Sequence, residues 1–436
     1  MEATADGPSV AGWGLDGGIP SQPHQCGPPA RASPNGTPEN TRKSYSGGRQ
    51  SPSVADQRRR WTLAVFAYML LVGATLQVRG ALVPEFKQTF QVSEGLLGLV
   101  TPAFTVGFMA AMLVVGLGVG RLPVRRVYVA GVLGTVVALL AIAGAPVYPV
   151  LLGAILLRGG ATGAFRAIDR PALSHLYPGS RGRVLSLQSM AWAVGATAGP
   201  LLATAVLWVA DWRAVYLLLA VAWIPPLVLL RGTGAPPGME GEDALSLDSL
   251  REILREPAVL GMCGAVVFLG GIESNFFTWL PYYAAQSLPR GQANLVLSVY
   301  LSAYVPGRYA ASHLADRVRY VTLLVVDAVG VLVAVALTLT FASGTWLFAG
   351  VFAVGFLVSG AFPILLAWAM DASPEYSGPV NAIGMVAGQV GFFVFPAVVG
   401  ALAEQRGIVA AMHVVTVLAG VYLVASVVNR VVVAPE

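Results

Sequence analysis

Charge is what this sequence has least of. Asp, Glu, Lys and Arg make up 11% of its 436 residues against 56% apolar, where a soluble domain carries about a quarter charged residues. With a mean hydropathy of +0.69, such a chain cannot clothe a water-facing surface. Cysteine is nearly absent too. Cys26 sits in a polar tail and Cys263 inside an apolar stretch, so neither a disulfide framework nor a thiolate metal site is available. No paired His/Asp/Glu set offers a metal site, and no nucleophile lies beside a base. The GLGVG run at Gly116 lacks the Gly-Lys-Ser/Thr of a phosphate loop and follows an apolar helix instead of a strand. These absences argue against an enzyme and against any cofactor or metal. The net charge of +5 comes from arginines that flank apolar stretches instead of clustering on one face, which argues against nucleic acid as a partner.

What is present is length in apolar runs. Twelve stretches begin near Trp61, Leu97, Val127, Val150, Val184, Ala214, Ala258, Ala293, Val321, Trp346, Val380 and Ala410, each near the roughly 20 residues that one bilayer crossing needs. The expected fold is therefore an all-α membrane protein of twelve transmembrane helices in two six-helix bundles. The expected domains are a disordered cytoplasmic tail at 1–57, a first bundle at 58–231, a linker at 232–257 and a second bundle at 258–436. The tail is rich in Gly, Pro and Ser and too poor in apolar residues to fold. In the linker, ALSLDSLREILR from Ala244 to Arg255 reads as a short amphipathic helix on the membrane surface. Arg58, Arg59, Arg60, Arg121, Arg125, Arg126, Arg170, Arg181, Arg183, Arg231, Arg251, Arg255, Arg317 and Arg319 all fall on one side of this topology. By the positive-inside rule that side is cytoplasmic, with both termini. The expected location is the cell membrane, as a monomer.

The two halves repeat each other. Arg121 aligns with Arg317 on the register that also takes Gly195 to Gly391 and Pro200 to Pro396. A shift of one residue takes Gly163-Ala164-Phe165 to Gly360-Ala361-Phe362. Each half has a short basic turn at the same place, GLGVGRLPVRR from Gly116 and SHLADRVRY from Ser312. Such turns resemble the G-x-x-x-D-R-x-G-[RK]-[RK] loop of the major facilitator superfamily. In the first copy Gly120 and Pro123 replace the Asp and second Gly, and in the second Ser312 replaces the first Gly while Asp316 and Arg317 match. Arg158 with Gly160 and Gly163, and Gly195-x-x-x-Gly199-Pro200, are similar to further motifs of that superfamily, the latter to one associated with drug/proton antiporters. Glu273-x5-Trp279 with Tyr282-Tyr283 is similar to the fucose-permease-like branch.

The resemblance covers roughly 58–434 and implies a pseudo-symmetric secondary transporter with a central cavity lined by spans 1, 4, 7 and 10. Arg79, Arg158, Glu273, Asn275, Trp279 and Gln389 are then the candidates for solute binding or coupling. Arg121, Arg125, Asp316, Arg317 and Arg319 are candidates for a cytoplasmic gate. A charge in mid-membrane costs roughly 2.5–3.5 kcal/mol, so it carries a partner or a job. Arg308 and Asp327, at matched depth on neighbouring spans, are expected to form a structural ion pair. Glu273 is the candidate proton-coupling residue, with a permanent Glu273–Arg79 pair as its structural alternative. The implied partners are a small organic solute, protons and the lipid bilayer. The Gly195–Pro200 motif favours efflux, and the span 7 pattern favours uptake of a sugar-like or organic-acid solute. A membrane receptor that binds without transporting is the reading from another class.

Overall fold

The computed structural model describes residues 54–118, 124–177, 181–229, 251–315, 317–373 and 376–433. Among these there is no strand. In lipid every backbone N–H and C=O must find its partner within the segment, and the helix does this. The first half runs α1 (Val54–Ala81), α2 (Val83–Phe90), α3 (Glu94–Leu97), α4 (Val100–Gly118), α5 (Val124–Ala143), α6 (Tyr148–Arg166), α7 (Asp169–Leu176), α8 (Arg181–Leu207), α9 (Trp212–Ala222) and α10 (Ile224–Leu229). The second runs α11 (Pro257–Ala284), α12 (Arg290–Ser302), α13 (Tyr304–Ala315), α14 (Tyr320–Phe341), α15 (Trp346–Ala372) and α16 (Ser377–Val428), closed by a π-turn at Asn429–Val433.

Ten helical segments are long and apolar enough to cross a membrane among the described residues. The expectation was twelve crossings, and two local features account for the difference. The last segment, Pro379–Val433, has 55 residues, about 80 Å of helix at 1.5 Å per residue against a hydrocarbon core of about 30 Å. Gly407, at φ 78° and ψ 157°, divides it into two arms, a conformation that suits glycine. The expected eighth span is broken at Ala303 into α12 and α13, of 13 and 12 residues. Large apolar side chains such as Val114, Phe341 and Val417 stay exposed on the helix surfaces, as lipid-facing residues do.

Small residues set the helix contacts, as membrane packing favours. A Cβ on Gly195 in α8 would strike the carbonyl of Leu70 in α1, and a Cβ on Gly391 in α16 would strike that of Val267 in α11. The aligned glycines thus meet carbonyls that match within one residue of the same register, so the sequence repeat is also a packing repeat. Between the halves α1 packs on α11, α4 on α16, and α8 on α12.

Two expected boundaries shift. Helix α1 already begins at Val54, inside the segment expected as a tail; the rest of that tail lies outside the described residues. The end of the expected amphipathic helix is helical over 251–253, with Ile253 buried, and the linker before it lies outside the described residues.

Candidate functional site

A cavity of about 250 Å³ lies between the halves, lined from α1, α4, α6, α7, α8, α11, α13, α15 and α16. It runs from Arg79, near the end of α1, to Arg166 and Arg170 at the junction of α6 and α7. Beyond Arg79 the halves close on each other. A Cβ on Gly80 would strike the carbonyl of Phe277, and one on Gly400 would approach that of Glu94. Thr101 and Thr278 share a hydrogen bond of 2.7 Å, and Ser298 donates to the Thr197 carbonyl at 3.0 Å. At the rim Lys87 pairs with Glu94 and donates to the Tyr282 hydroxyl at 2.9 Å, while that hydroxyl donates to Glu94 at 2.8 Å. Burial pulls the Lys87 pKa down, but its bonds to Glu94 and Tyr282 outweigh this and hold it above the ordinary 10.5. Toward the other face, where α1 begins, Arg170 crosses between the halves to donate to Asn381 Oδ1 at 3.1 Å.

The cavity wall is rich in guanidinium. Arg79, Arg166, Arg170 and Arg308 line it, with Glu273 as the carboxylate among the lining residues. Asp169 sits behind the wall and neutralises Arg166 at 2.5 Å, while Gln188 donates to the same carboxylate oxygen at 2.8 Å. Glu273 accepts from the Tyr304 hydroxyl at 2.7 Å and lies in the field of Arg308. Arg308 itself donates to the Ser359 carbonyl at 3.3 Å.

Arg79 and Arg158 are different. Each is 2% exposed. Their guanidiniums lie 5.6 and 5.1 Å from the centre of the Phe104 ring and within electrostatic reach of each other. Arg79 Nε and Nη1 and Arg158 Nε have no acceptor. A cation over an aromatic face gains about 0.5–2 kcal/mol, less than the roughly 2.5–3.5 kcal/mol each charge costs in mid-membrane. Helix packing explains how they are held: Gly159 lies against the Phe104 carbonyl so closely that a Cβ would collide, which locks α6 to α4 beside the ring.

Of the residues expected to bind or couple, Arg79, Glu273 and Gln389 line the cavity. Arg158 stands behind it beside Phe104. Asn275 turns back to its own helix, donating to the Gly271 carbonyl at 2.8 Å, and Trp279 donates to the Pro396 carbonyl at 3.1 Å. Trp279 thus belongs to the α11–α16 contact, and neither residue is among those that line the cavity. The expected Arg308–Asp327 pair is not formed: Asp327 accepts from the Tyr422 hydroxyl at 3.3 Å, and Arg308 turns to the cavity. Nor is Glu273 paired with Arg79, since Tyr304 holds it on the second half. Of the expected gate, Arg121 and Asp316 lie outside the described residues. Arg125 and Arg317 are exposed, and Arg319 is the N-cap residue of α14. Sequence reasoning missed Arg166, Arg170, Asp169 and Tyr304. Arg170 reads in the sequence as a topology charge at the end of a span, and the others carry no signal that sets them apart.

The family model of the Major Facilitator Superfamily matches residues 62–289 and 273–436. Major facilitator superfamily domain-containing protein 4A of Danio rerio is 33% identical over 154 residues, 34% of this chain and 29% of that protein. Thus the match spans under a third of that relative's length. Among solved structures, a D-xylose–proton symporter superposes with a TM-score of 0.74 at 16% identity, covering 87% of this chain and 98% of that one. A bacterial homologue of the human lysosomal transporter Spinster, in an inward-facing and unoccupied conformation, superposes with a TM-score of 0.70 at 15% identity, covering 86% and 98%.

Proposed function

The chain belongs to the Major Facilitator Superfamily, and from that premise we propose that it is a secondary active transporter moving a small organic solute by alternating access, coupled to protons through Glu273. The observation that carries this reading is a cavity between the two halves, sealed beyond Arg79 by contacts that cross from one half to the other. By the positive-inside rule the face where α1 begins is cytoplasmic, so the seal lies on the outer side of the cavity. Rocking of the halves about the cavity would part the Thr101–Thr278 and Lys87–Glu94–Tyr282 contacts and close the halves around Arg170.

Glu273 suits coupling because its neighbours come from a different helix. Tyr304 and Arg308 both sit on α13, just after the break at Ala303, where a span can flex. While Tyr304 and Arg308 face it, the carboxylate has a hydrogen-bond donor and a cation beside it. When α13 shifts, the carboxylate loses them and takes a proton. One neighbour in fold is named as a proton symporter, which supports the reading. The Gly195–Pro200 motif supports efflux. The Glu273-x5-Trp279 pattern supports uptake as the second reading.

Spin labels test this without knowing the solute. Pairs at Gly144 and Ser287 report one face, and pairs at Arg125 and Arg317 report the other. Pulsed EPR should give distances that change in opposite directions when pH is stepped, and Glu273→Gln should freeze that response. Distances at both faces that ignore pH and every added solute fit a receptor without alternating access and overturn the reading.

A further inference from the structure

Arg79 and Arg158 place two buried cations beside one aromatic ring with N–H groups aimed at no acceptor. Elsewhere in the cavity each positive group already has company. Arg166 has Asp169, Arg308 faces Glu273, and Arg170 is tied to Asn381. The buried guanidinium N–H groups without an acceptor are therefore concentrated at the sealed end, where Arg79 lines the cavity and Arg158 stands beside Phe104. Next to it the wall is aromatic: Phe104, Phe108, Phe277 and Trp192 all line the same space. A protein that kept these arginines for stability would have given them a carboxylate, because removing one member of a buried charge pair leaves the other costly.

We propose that the transported solute is an organic anion with an aromatic or flat apolar body, its charged group held by Arg79 with Arg158 adding positive field from behind Phe104. This deepens the transport reading and rests on it. A carboxylate or phosphate accepts two parallel N–H bonds from a guanidinium, which supplies the acceptor Arg79 lacks. The body of the solute lies against the aromatic wall, and the sealed end shields the ion pair from water. Glu273 stands farther toward the cytoplasmic face, close enough in the same cavity to repel the anion when charged and to admit it when protonated. Anion entry and proton uptake then favour each other.

Thermal unfolding of the purified full chain tests the assignment, with benzoate, phenyl phosphate and benzamide as probes. Benzoate or phenyl phosphate should raise the melting temperature of the wild type, and benzamide, equal in shape to benzoate but neutral, should not. Preference between the two anions tells carboxylate from phosphate. Arg79→Met should raise the melting temperature of the empty protein and abolish the anion response. Arg79→Lys should keep a response, at about thirtyfold higher concentration or more, because a point charge replaces a fork and a buried pair is weakened. An equal response to benzamide, no response to either anion at millimolar concentration, an undiminished response in Arg79→Met, or a lower melting temperature of empty Arg79→Met each overturns the proposal. The spin-label distances separate the two readings: they still alternate if only the anion assignment is wrong, and they stay fixed if transport itself is wrong.

Discussion

The two halves share a skeleton and differ in their polar residues. On the register that aligns Leu70 with Val267, Arg79 falls on Phe276, Arg158 on Gly355 and Glu273 on Leu76. On the register of the basic turns, Arg308 falls on Met112. These charged groups thus have uncharged counterparts, whereas Gly195, which sets a helix contact, has a glycine counterpart in Gly391. Packing constrains both copies alike, because helix approach in lipid depends on small residues. Charge is free to diverge. Here the first half keeps two arginines without acceptors and the second keeps a carboxylate with Tyr304 and Arg308 beside it. In the reading proposed above, one half holds the solute and the other handles the proton.

The largest effect should fall on the shared skeleton. Gly195→Val and Gly391→Val each drive a side chain into a backbone carbonyl, and each should cost about 3 kcal/mol. Melting temperatures in detergent should fall by similar amounts. A large drop in one with little change in the other would break the packing equivalence of the halves. A smaller effect is expected at the rim that joins them. Tyr282→Phe removes the hydroxyl bridging Lys87 and Glu94 and should weaken the seal by about 1 kcal/mol, severalfold in population. The Gly144–Ser287 label distances should then show more of the outward-open form. A lysine whose folded pKa is raised adds stability that is fully present below its unfolded value, and loses it only as pH rises through the folded one. Since Lys87 is held above 10.5, its share of the seal should not change between neutral and mildly alkaline pH. An effect of the same size is expected at Asp327. It takes one hydrogen bond from Tyr422 and holds no arginine, so Asp327→Asn should cost about 1 kcal/mol, where breaking a buried ion pair costs about 3–5 kcal/mol. Calorimetric melting of that variant distinguishes the two values.

Most of the skeleton was legible in the sequence, because span length, span-end arginines and repeated glycines obey constraints local to a segment. The break at Ala303 has a local cause that the reading by span length passed over: Pro306 has no N–H to give the Ser302 carbonyl, where α12 ends. Within the site, depth along a helix was legible but azimuth was not. Glu273, Asn275 and Trp279 lie on one helix, and the structure turns Glu273 to the cavity, Asn275 back on its own helix and Trp279 to α16. Arg308 and Asp327 matched in depth and faced different neighbours for the same reason. Arg170 was hidden by its position, since a basic residue at a span end serves topology in most cases, and its bond to Asn381 crosses from one half to the other.

The division of labour is tested most directly by measuring exchange and accumulation in parallel in liposomes, with labelled phenyl phosphate as the solute and an imposed pH gradient. Glu273→Gln should exchange phenyl phosphate near the wild-type rate and lose gradient-driven accumulation. Arg79→Gln should lose both. Equal loss of both activities in the two variants, or full accumulation by Glu273→Gln, would contradict the assignment of the proton to one half and the anion to the other.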